Sequence, residues 1–91
     1  MAWVIEFDPA AFKELTRLDN SIQQQILRYL RERLSTEEDP HRFGKALRGE
    51  KVGLWSYRLG DQRIVCAIED ERRRIRVLRI GHRRSIYEDR K

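Results

Sequence analysis

Four short segments of the chain have the residue pattern of β-strands. In residues 2–7, "AWVIEF", the side chains of Trp3, Ile5 and Phe7 fall on one side, which is the pattern of a β-strand with one buried face. Three later segments are rich in β-branched, aromatic and aliphatic residues and are separated by turn-forming or charged residues: residues 54–59, 63–69 and 74–80. The pattern therefore predicts four strands.

Two segments between the first and second predicted strands have the spacing of amphipathic helices. In residues 8–18, Asp8 is suited to cap the helix and Pro9 to occupy its first turn, and apolar residues recur at helical spacing after them. A second apolar stripe follows a polar break and consists of Ile22, Ile26, Tyr29, Leu30 and Leu34. The two stripes predict a helical hairpin, and residues 35–53, with three glycines, predict a loop-rich connection.

The order of the predicted elements, β-α-α-β-β-β, is typical of an α+β fold. We expect a mostly antiparallel four-stranded sheet with the helical hairpin on one face and the other face uncovered. Residues 1–91 are expected to form a single domain, because no repeat or low-complexity segment divides them. A chain of this length buries a limited core, so the expected kind of site is a surface cleft and not a deep pocket.

Alternation along the strands assigns a group of arginines to the uncovered face. Leu78 and Ile80 suit the core side of the fourth strand. The following residues are then expected to point out of the uncovered face: Ser56, Arg58, Arg63, Val77, Arg79 and, in an extended chain, Arg83. Such a gathering of like charges lowers stability unless an anion binds. A purely structural alternative remains, since arginine stems also cover apolar surface while their heads stay in water.

The overall charge fits an anionic partner. The net charge is +5, and residues 72–84 form a cluster of arginines without an acidic residue. Lys and Arg displace condensed counterions from a phosphate backbone, and the planar arginine fork binds phosphate through two hydrogen bonds. An acidic protein or a membrane surface would suit the charge equally well. Charge alone therefore does not choose the partner.

Several classes of site are excluded by residue types and spacing. A single cysteine, Cys66, excludes an internal disulfide and a multi-cysteine zinc site, and it falls on the core side of its strand. The histidines, His41 and His82, are far apart, and the chain has no glycine-rich phosphate loop. We therefore expect no metal and no cofactor. No segment resembles a signal peptide or a membrane span, so the prediction is a cytoplasmic protein without membrane contact.

Some polar residues could have either a structural or a chemical role. His41 follows Pro40 and is predicted to be a turn or capping residue. His82 lies among arginines, where a neutral imidazole could transfer protons. Tyr87 either packs the tail against the sheet or stacks on an RNA base. The sequence pattern leaves both alternatives open for His82 and Tyr87.

Four motifs together resemble the RelE/ParE superfamily of bacterial and archaeal toxins. They are "FDPAAFKELTRLD", "KALRG", "LWSYRLGDQRIV" and "IGHRRSIY", and they span nearly the whole chain in the family's order. The RelE branch implies a small RNase-like fold that enters the ribosomal decoding site and cuts mRNA, with the RNA's own 2′-OH as nucleophile and without a metal. The resemblance also implies three partnerships: a cognate antitoxin, the translating ribosome with its mRNA, and DNA only through the antitoxin.

The resemblance assigns expected roles to single residues. Arg63 matches an arginine that steadies the scissile phosphate, Arg83 matches a second active-site arginine, and Tyr87 matches a tyrosine that orients or activates the nucleophile. Arg58 keeps the positive charge of a family lysine pair in the second strand, whereas Ser56 does not. Further residues expected to contact RNA are Lys45, Arg48, Ser56, Arg79 and Arg84.

The protonation chemistry separates these roles further. An arginine pKa above ~12 makes a guanidinium a poor proton donor at neutral pH. We therefore expect Arg63 and Arg83 to stabilise charge electrostatically, and Tyr87 or His82 to transfer protons. Two alternatives remain at this stage: a ParE-like DNA gyrase inhibitor, a branch whose members generally lack this arginine–tyrosine set, and an RNA-binding module without catalysis.

Overall fold

A five-stranded sheet carries two helices on one face. The computed structural model describes residues 2–36, 39–47 and 53–82, and all element counts refer to these ranges. The elements in chain order are β1 (Val4–Phe7), α1 (Pro9–Thr16), α2 (Asn20–Tyr29), β2 (Lys45–Ala46), β3 (Leu54–Leu59), β4 (Gln62–Glu69) and β5 (Arg74–His82). A π-helical turn at Leu30–Leu34 continues α2, and a 3₁₀ turn at Pro40–Phe43 precedes β2.

The strand order is β1-β5-β4-β3-β2, with β1 parallel to β5 and every other pair antiparallel. The α+β class and the mostly antiparallel sheet are confirmed. The predicted number of four strands is wrong, because the short strand β2 pairs with β3 at one edge. A two-residue strand is too short to produce a visible alternation, so the sequence pattern did not reveal it.

The hydrophobic core lies between the helices and one face of the sheet. Its main members are Ala11 and Leu15 of α1, Ile26, Leu30 and Leu34 of α2 and the following turn, and Tyr57, Ile64, Cys66, Ile75, Val77 and Ile80 of the sheet. The buried position predicted for Cys66 is confirmed. Burial raises the pKa of the Cys66 thiol to about 12. The thiol is therefore protonated at neutral pH, as is usual for a cysteine buried in a core.

Helix α1 begins directly at the end of β1. Pro9 occupies the first turn, where a missing N–H costs no hydrogen bond. The Asp8 carbonyl accepts from Phe12 N at 2.9 Å, while Asp8 N donates to the carbonyl of Val77 at 2.8 Å. The side chain of Asp8 makes no capping hydrogen bond within the described ranges, so that prediction is wrong. The backbone bond to Val77 ties the start of α1 to strand β5.

An irregularity in the β4–β5 ladder changes the faces predicted for strand β5. Cys66 pairs with Val77, whereas Val65 pairs with Arg79, so Leu78 is an extra residue in β5. Val77 therefore points into the core and is fully buried, and the expectation that it faces outward is wrong. After the extra residue the alternation resumes with Ile80 in the core, as predicted. A bulge of this kind leaves no mark on a single-strand hydrophobicity pattern.

Tyr57 connects the sheet to the 3₁₀ turn. Its side chain is fully buried, and its hydroxyl donates to the Pro40 carbonyl at 2.8 Å. Burial raises the pKa of Tyr57, so the phenol remains a neutral donor. A Cβ atom added to Gly44 would lie 2.8 Å from two atoms of the Tyr57 ring, which explains the glycine. The ring fills the space that any side chain at position 44 would need.

Asp39 begins the 3₁₀ turn and is bonded to His41. Its carboxylate accepts from His41 N at 3.0 Å and lies 2.6 Å from His41 Nδ1. The hydrogen bonds with His41 lower the pKa of Asp39. These contacts confirm the prediction that His41 belongs to a turn.

No helix in residues 2–36, 39–47 or 53–82 is both long and apolar enough to cross a lipid bilayer.

Candidate active site

The sheet face opposite the helices brings together side chains from four strands. Cross-strand pairs share a face, so the pairing register gives two rows on it. The first row consists of Lys45, Ser56, Val65 and Arg79, and the second of Arg58, Arg63 and Gly81. We call these seven residues the site face.

Two arginines on the site face lie directly opposite each other. Arg58 of β3 pairs with Arg63 of β4, one residue from the turn that joins these strands. Like charges at directly opposite positions destabilise an antiparallel pair. The glycine at position 81 faces Arg63 from the other neighbouring strand and adds no side chain there. A bound anion would relieve the repulsion, and two guanidinium groups are the donors suited to a phosphate.

Arg63 is held by a buried hydrogen bond. Its Nη1 donates to the Ser56 hydroxyl at 2.9 Å, and the two residues are only 9% and 3% exposed. Both side chains lie on the predicted side of the sheet, but they are buried there. The Arg63 side chain reaches back along the sheet to Ser56 instead of extending away from it. Arg58, in contrast, is exposed, as expected.

Arg79 belongs to the site face by its pairing with Val65, but its guanidinium bonds to helix α1 at the edge of β5 that β1 leaves unpaired. Its Nε donates to Glu14 Oε2 at 3.0 Å, and the other oxygen of the same carboxylate accepts from the backbone N of Ile80 at 2.7 Å. Glu14 belongs to α1 and was not identified from the sequence. A glutamate beside the apolar stripe of a helix usually faces solvent, so the pattern gave no sign of this contact.

The remaining predicted site residues are distributed as follows. Lys45 is exposed and stands beside Ser56 in the first row of the site face. His82 is exposed at the end of β5 opposite Gln62, so alternation directs it away from the side that carries Arg63. Four predicted residues lie outside the described ranges: Arg48, Arg83, Arg84 and Tyr87.

The polar groups on the site face are hydrogen-bond donors of the kind that bind anions. Among the residues that the structure describes, no three histidine, cysteine, aspartate or glutamate side chains are grouped so that they could hold a metal ion. The site face instead presents guanidinium, ammonium and hydroxyl groups. Fixed guanidinium groups can stabilise negative charge that develops on phosphoryl oxygens.

Comparison with known proteins agrees with this fold. The family model described as the ParE toxin of type II toxin-antitoxin system, parDE, matches residues 5–87. Toxin RelG of Mycobacterium tuberculosis is 34% identical over 87 residues, which cover 96% of this chain and 98% of RelG. Toxin RelE of the same organism is 36% identical over 77 residues, which cover 85% of this chain and 77% of that protein.

A solved structure supports the relationship in three dimensions. The toxin–antitoxin complex RelBE2 of M. tuberculosis contains a chain that superposes with a TM-score of 0.83 at 30% identity, covering 90% of this chain and 92% of that one. The matched family model spans both helices and strands β3, β4 and β5. The chain therefore belongs to the ParE toxin family of type II toxin–antitoxin systems, within the RelE/ParE superfamily that its motifs resemble.

Proposed function

We propose that this chain is a ribosome-dependent mRNA endoribonuclease that acts in the cytoplasm as the toxin of a type II system. The observation that carries the proposal is the opposition of Arg58 and Arg63 on the site face. The two guanidinium groups stand on adjacent strands, so one RNA phosphate could accept hydrogen bonds from both. The RelE and RelG names of relatives that match most of the chain support the same function.

The proposed reaction needs no group beyond the RNA and the side chains. The 2′-oxygen attacks the adjacent phosphorus and forms a new P–O bond, while the bond from phosphorus to the 5′-oxygen breaks. The products are a 2′,3′-cyclic phosphate and a 5′-OH. A base takes the proton of the 2′-OH, and the leaving 5′-oxygen accepts a proton. Arg63 stabilises the charge that builds on the phosphoryl oxygens.

The remaining roles are proposals from the family resemblance. Arg83 would be the second electrostatic clamp, and Tyr87 would transfer protons. His82 is not assigned this role, because the strand directs it away from the side that carries Arg63. Arg58 and Lys45 would bind neighbouring phosphates, since both are exposed on the site face. Arg48 and Arg84 would add contacts to the RNA backbone.

We also propose that a cognate antitoxin neutralises this toxin. The similar M. tuberculosis chain was solved in a toxin–antitoxin complex, and a similar archaeal chain, from Pyrococcus horikoshii, was solved in a RelE–RelB complex. A partner rich in acidic residues would complement a net charge of +5.

Induction of this chain without an antitoxin tests the function. We expect growth arrest, cuts within ribosome-bound mRNA when 5′ ends are mapped, and 2′,3′-cyclic phosphates at the upstream ends. Free mRNA without ribosomes should remain uncut. Continued translation with intact mRNA would refute the proposal.

The same experiment decides between this function and inhibition of DNA gyrase. The matching family model carries the ParE name, so this second candidate has a specific observation in its favour. Gyrase inhibition would appear as DNA breaks and loss of negative supercoiling, with mRNA intact. RNA binding without catalysis would instead give retention of RNA and no new 5′ ends.

Ser56 variants test whether the hydroxyl orients Arg63. We expect Ser56→Ala to lower the cleavage rate by roughly tenfold or more, because a hydrogen bond to a charged group contributes about 1.5–3 kcal/mol. Ser56→Thr keeps the hydroxyl and should retain most of the activity. Equal rates for the alanine and threonine variants, measured on the same ribosome complexes, would contradict an orienting role.

A further inference from the structure

Strand β5 extends beyond its neighbour β1, and Glu14 occupies the edge that is left. The last β1–β5 pair is Phe7 with Val77, after which the chain turns into α1. In the described part of the chain no strand pairs with β5 on this side past that point. The Ile80 backbone N–H points to this edge and donates to Glu14 at 2.7 Å. The carboxylate thus accepts the hydrogen bond that a further strand would otherwise accept.

The hydrogen bonds to Glu14 are strong, and helix α1 holds its carboxylate in a fixed position. Both carboxylate oxygens of Glu14 are used, one by Ile80 N and one by Arg79 Nε at 3.0 Å. Hydrogen bonds to ionised groups are about twice as strong as neutral ones. Glu14 precedes Leu15, and Leu15 is buried in the core. The packing of α1 therefore fixes the carboxylate relative to the sheet.

The contact acts directly after the irregularity in the β4–β5 ladder. Leu78 is the extra residue in the ladder, and residues 79–82 follow it directly. A shift by one residue would exchange the two faces of this segment, since side chains alternate along a strand. Glu14 bonds to two consecutive residues just after the irregularity and so favours a single register.

The register in turn affects the surroundings of Arg63. Gly81 stands opposite Arg63 on the site face, and His82 stands opposite Gln62. In the observed register a residue without a side chain is the β5 pairing partner of Arg63. After a shift by one residue, a bulky side chain would face Arg63 instead.

We propose that Glu14 is a positioning residue, which fixes the end of β5 so that Gly81 leaves room for a phosphate at Arg63. The inference rests on the proposed ribonuclease function. It also gives Arg79 a role different from the RNA contact expected from the sequence, because Arg79 would act through Glu14.

Amide hydrogen exchange and cleavage kinetics on ribosome complexes together test the proposal. In Glu14→Ala we expect faster exchange at Ile80, Gly81 and His82, with the Val77 amide unchanged. We also expect kcat to fall by roughly tenfold to a hundredfold with little change in KM, since a small misplacement of a catalytic group has effects of this size. Glu14→Gln keeps an oxygen that can accept from Ile80 N and should recover part of kcat. If Glu14→Ala does not fold, the same hydrogen-exchange and kcat measurements on Glu14→Gln test the proposal.

Two controls distinguish the positioning role of Glu14 from an effect of net charge and from direct contact between Arg79 and RNA. Glu71→Gln makes the same change in net charge at an exposed turn position and should leave both readouts unchanged. Arg79→Ala should reduce kcat as well, and the Glu14→Ala/Arg79→Ala double variant should be no worse than the poorer single variant. Additive losses would mean that Arg79 contacts RNA directly and would overturn its proposed role.

Failure of this inference can be distinguished from failure of the proposed function. If the unchanged protein cuts mRNA and Glu14→Ala cuts it with the same kcat, the positioning role is wrong and the ribonuclease function stands. If the unchanged protein leaves mRNA intact, the ribonuclease function is refuted and the catalytic part of the inference falls with it.

Discussion

Replacing Arg63 with alanine is expected to lower the rate of mRNA cleavage on ribosomes by about 10²–10³-fold. This is the usual loss when one donor to a developing oxyanion is removed. Arg63 is the only arginine in the described ranges that is both on the site face and buried with a hydrogen bond to Ser56. Its guanidinium is therefore oriented before RNA binds. Arg63→Lys keeps the charge but loses the planar fork, so we expect an intermediate rate.

The control for this experiment must remove the same charge elsewhere. Arg72 is exposed in the turn between β4 and β5, at the opposite end of the sheet from the Arg58–Arg63 pair. Arg72→Ala should cleave mRNA at close to the rate of the unchanged protein. Because Arg63 is buried, the folded fraction of Arg63→Ala has to be checked by circular dichroism. A folded Arg63→Ala protein with full activity would rule out a catalytic role for this arginine.

A second large effect is expected on stability. Gly44→Ala should lower the free energy of unfolding by about 1–3 kcal/mol, the usual range for overpacking. The new Cβ would lie 2.8 Å from the Tyr57 ring, which is fully buried and cannot move without loss of its hydrogen bond to Pro40. Urea unfolding measures the change, and each kcal/mol corresponds to a Tm lower by roughly 4–8 °C in a domain of this size.

A double-mutant cycle identifies the cause of the destabilisation. If the clash with Tyr57 is responsible, Gly44→Ala should cost much less in a Tyr57→Leu background, where the ring atoms at 2.8 Å are gone. The same cost in both backgrounds would assign the effect to the backbone at position 44. Gly44 has φ −112°, which other residues adopt without strain, so we expect the first result.

Alternation and helical spacing predicted most of the fold, and local irregularities account for the errors. Residues 54–59 are found as strand β3 with the predicted bounds, because aromatic and aliphatic residues are followed there by the Gly60–Asp61 turn. Val77 was assigned to the wrong face because Leu78 is inserted in the ladder, and an insertion of this kind depends on the partner strand. The short strand β2 exists only through its pairing with β3.

The sequence predicted which face of the sheet carries the site, but not the hydrogen bonds made by the site residues. Alternation placed Arg58 and Arg63 on the same side of the sheet, and the register confirms that they are neighbours. The Ser56–Arg63 hydrogen bond joins residues of two strands, so one strand's pattern could not reveal it. The contact between Glu14 and Arg79 joins residues 65 positions apart and depends on how α1 crosses the sheet edge.

The pairing of the first strand with the last one has a consequence for synthesis of the protein. Val4 pairs with Arg74, and Phe7 pairs with Val77, so β1 has no strand to bond with until residues 74–77 have been made. Contacts this distant in sequence form late and slow the folding of a small domain. A newly synthesised molecule therefore completes the β1 edge of its sheet only after residues 74–77 have been made, whereas the Arg58–Arg63 pair needs only strands β3 and β4.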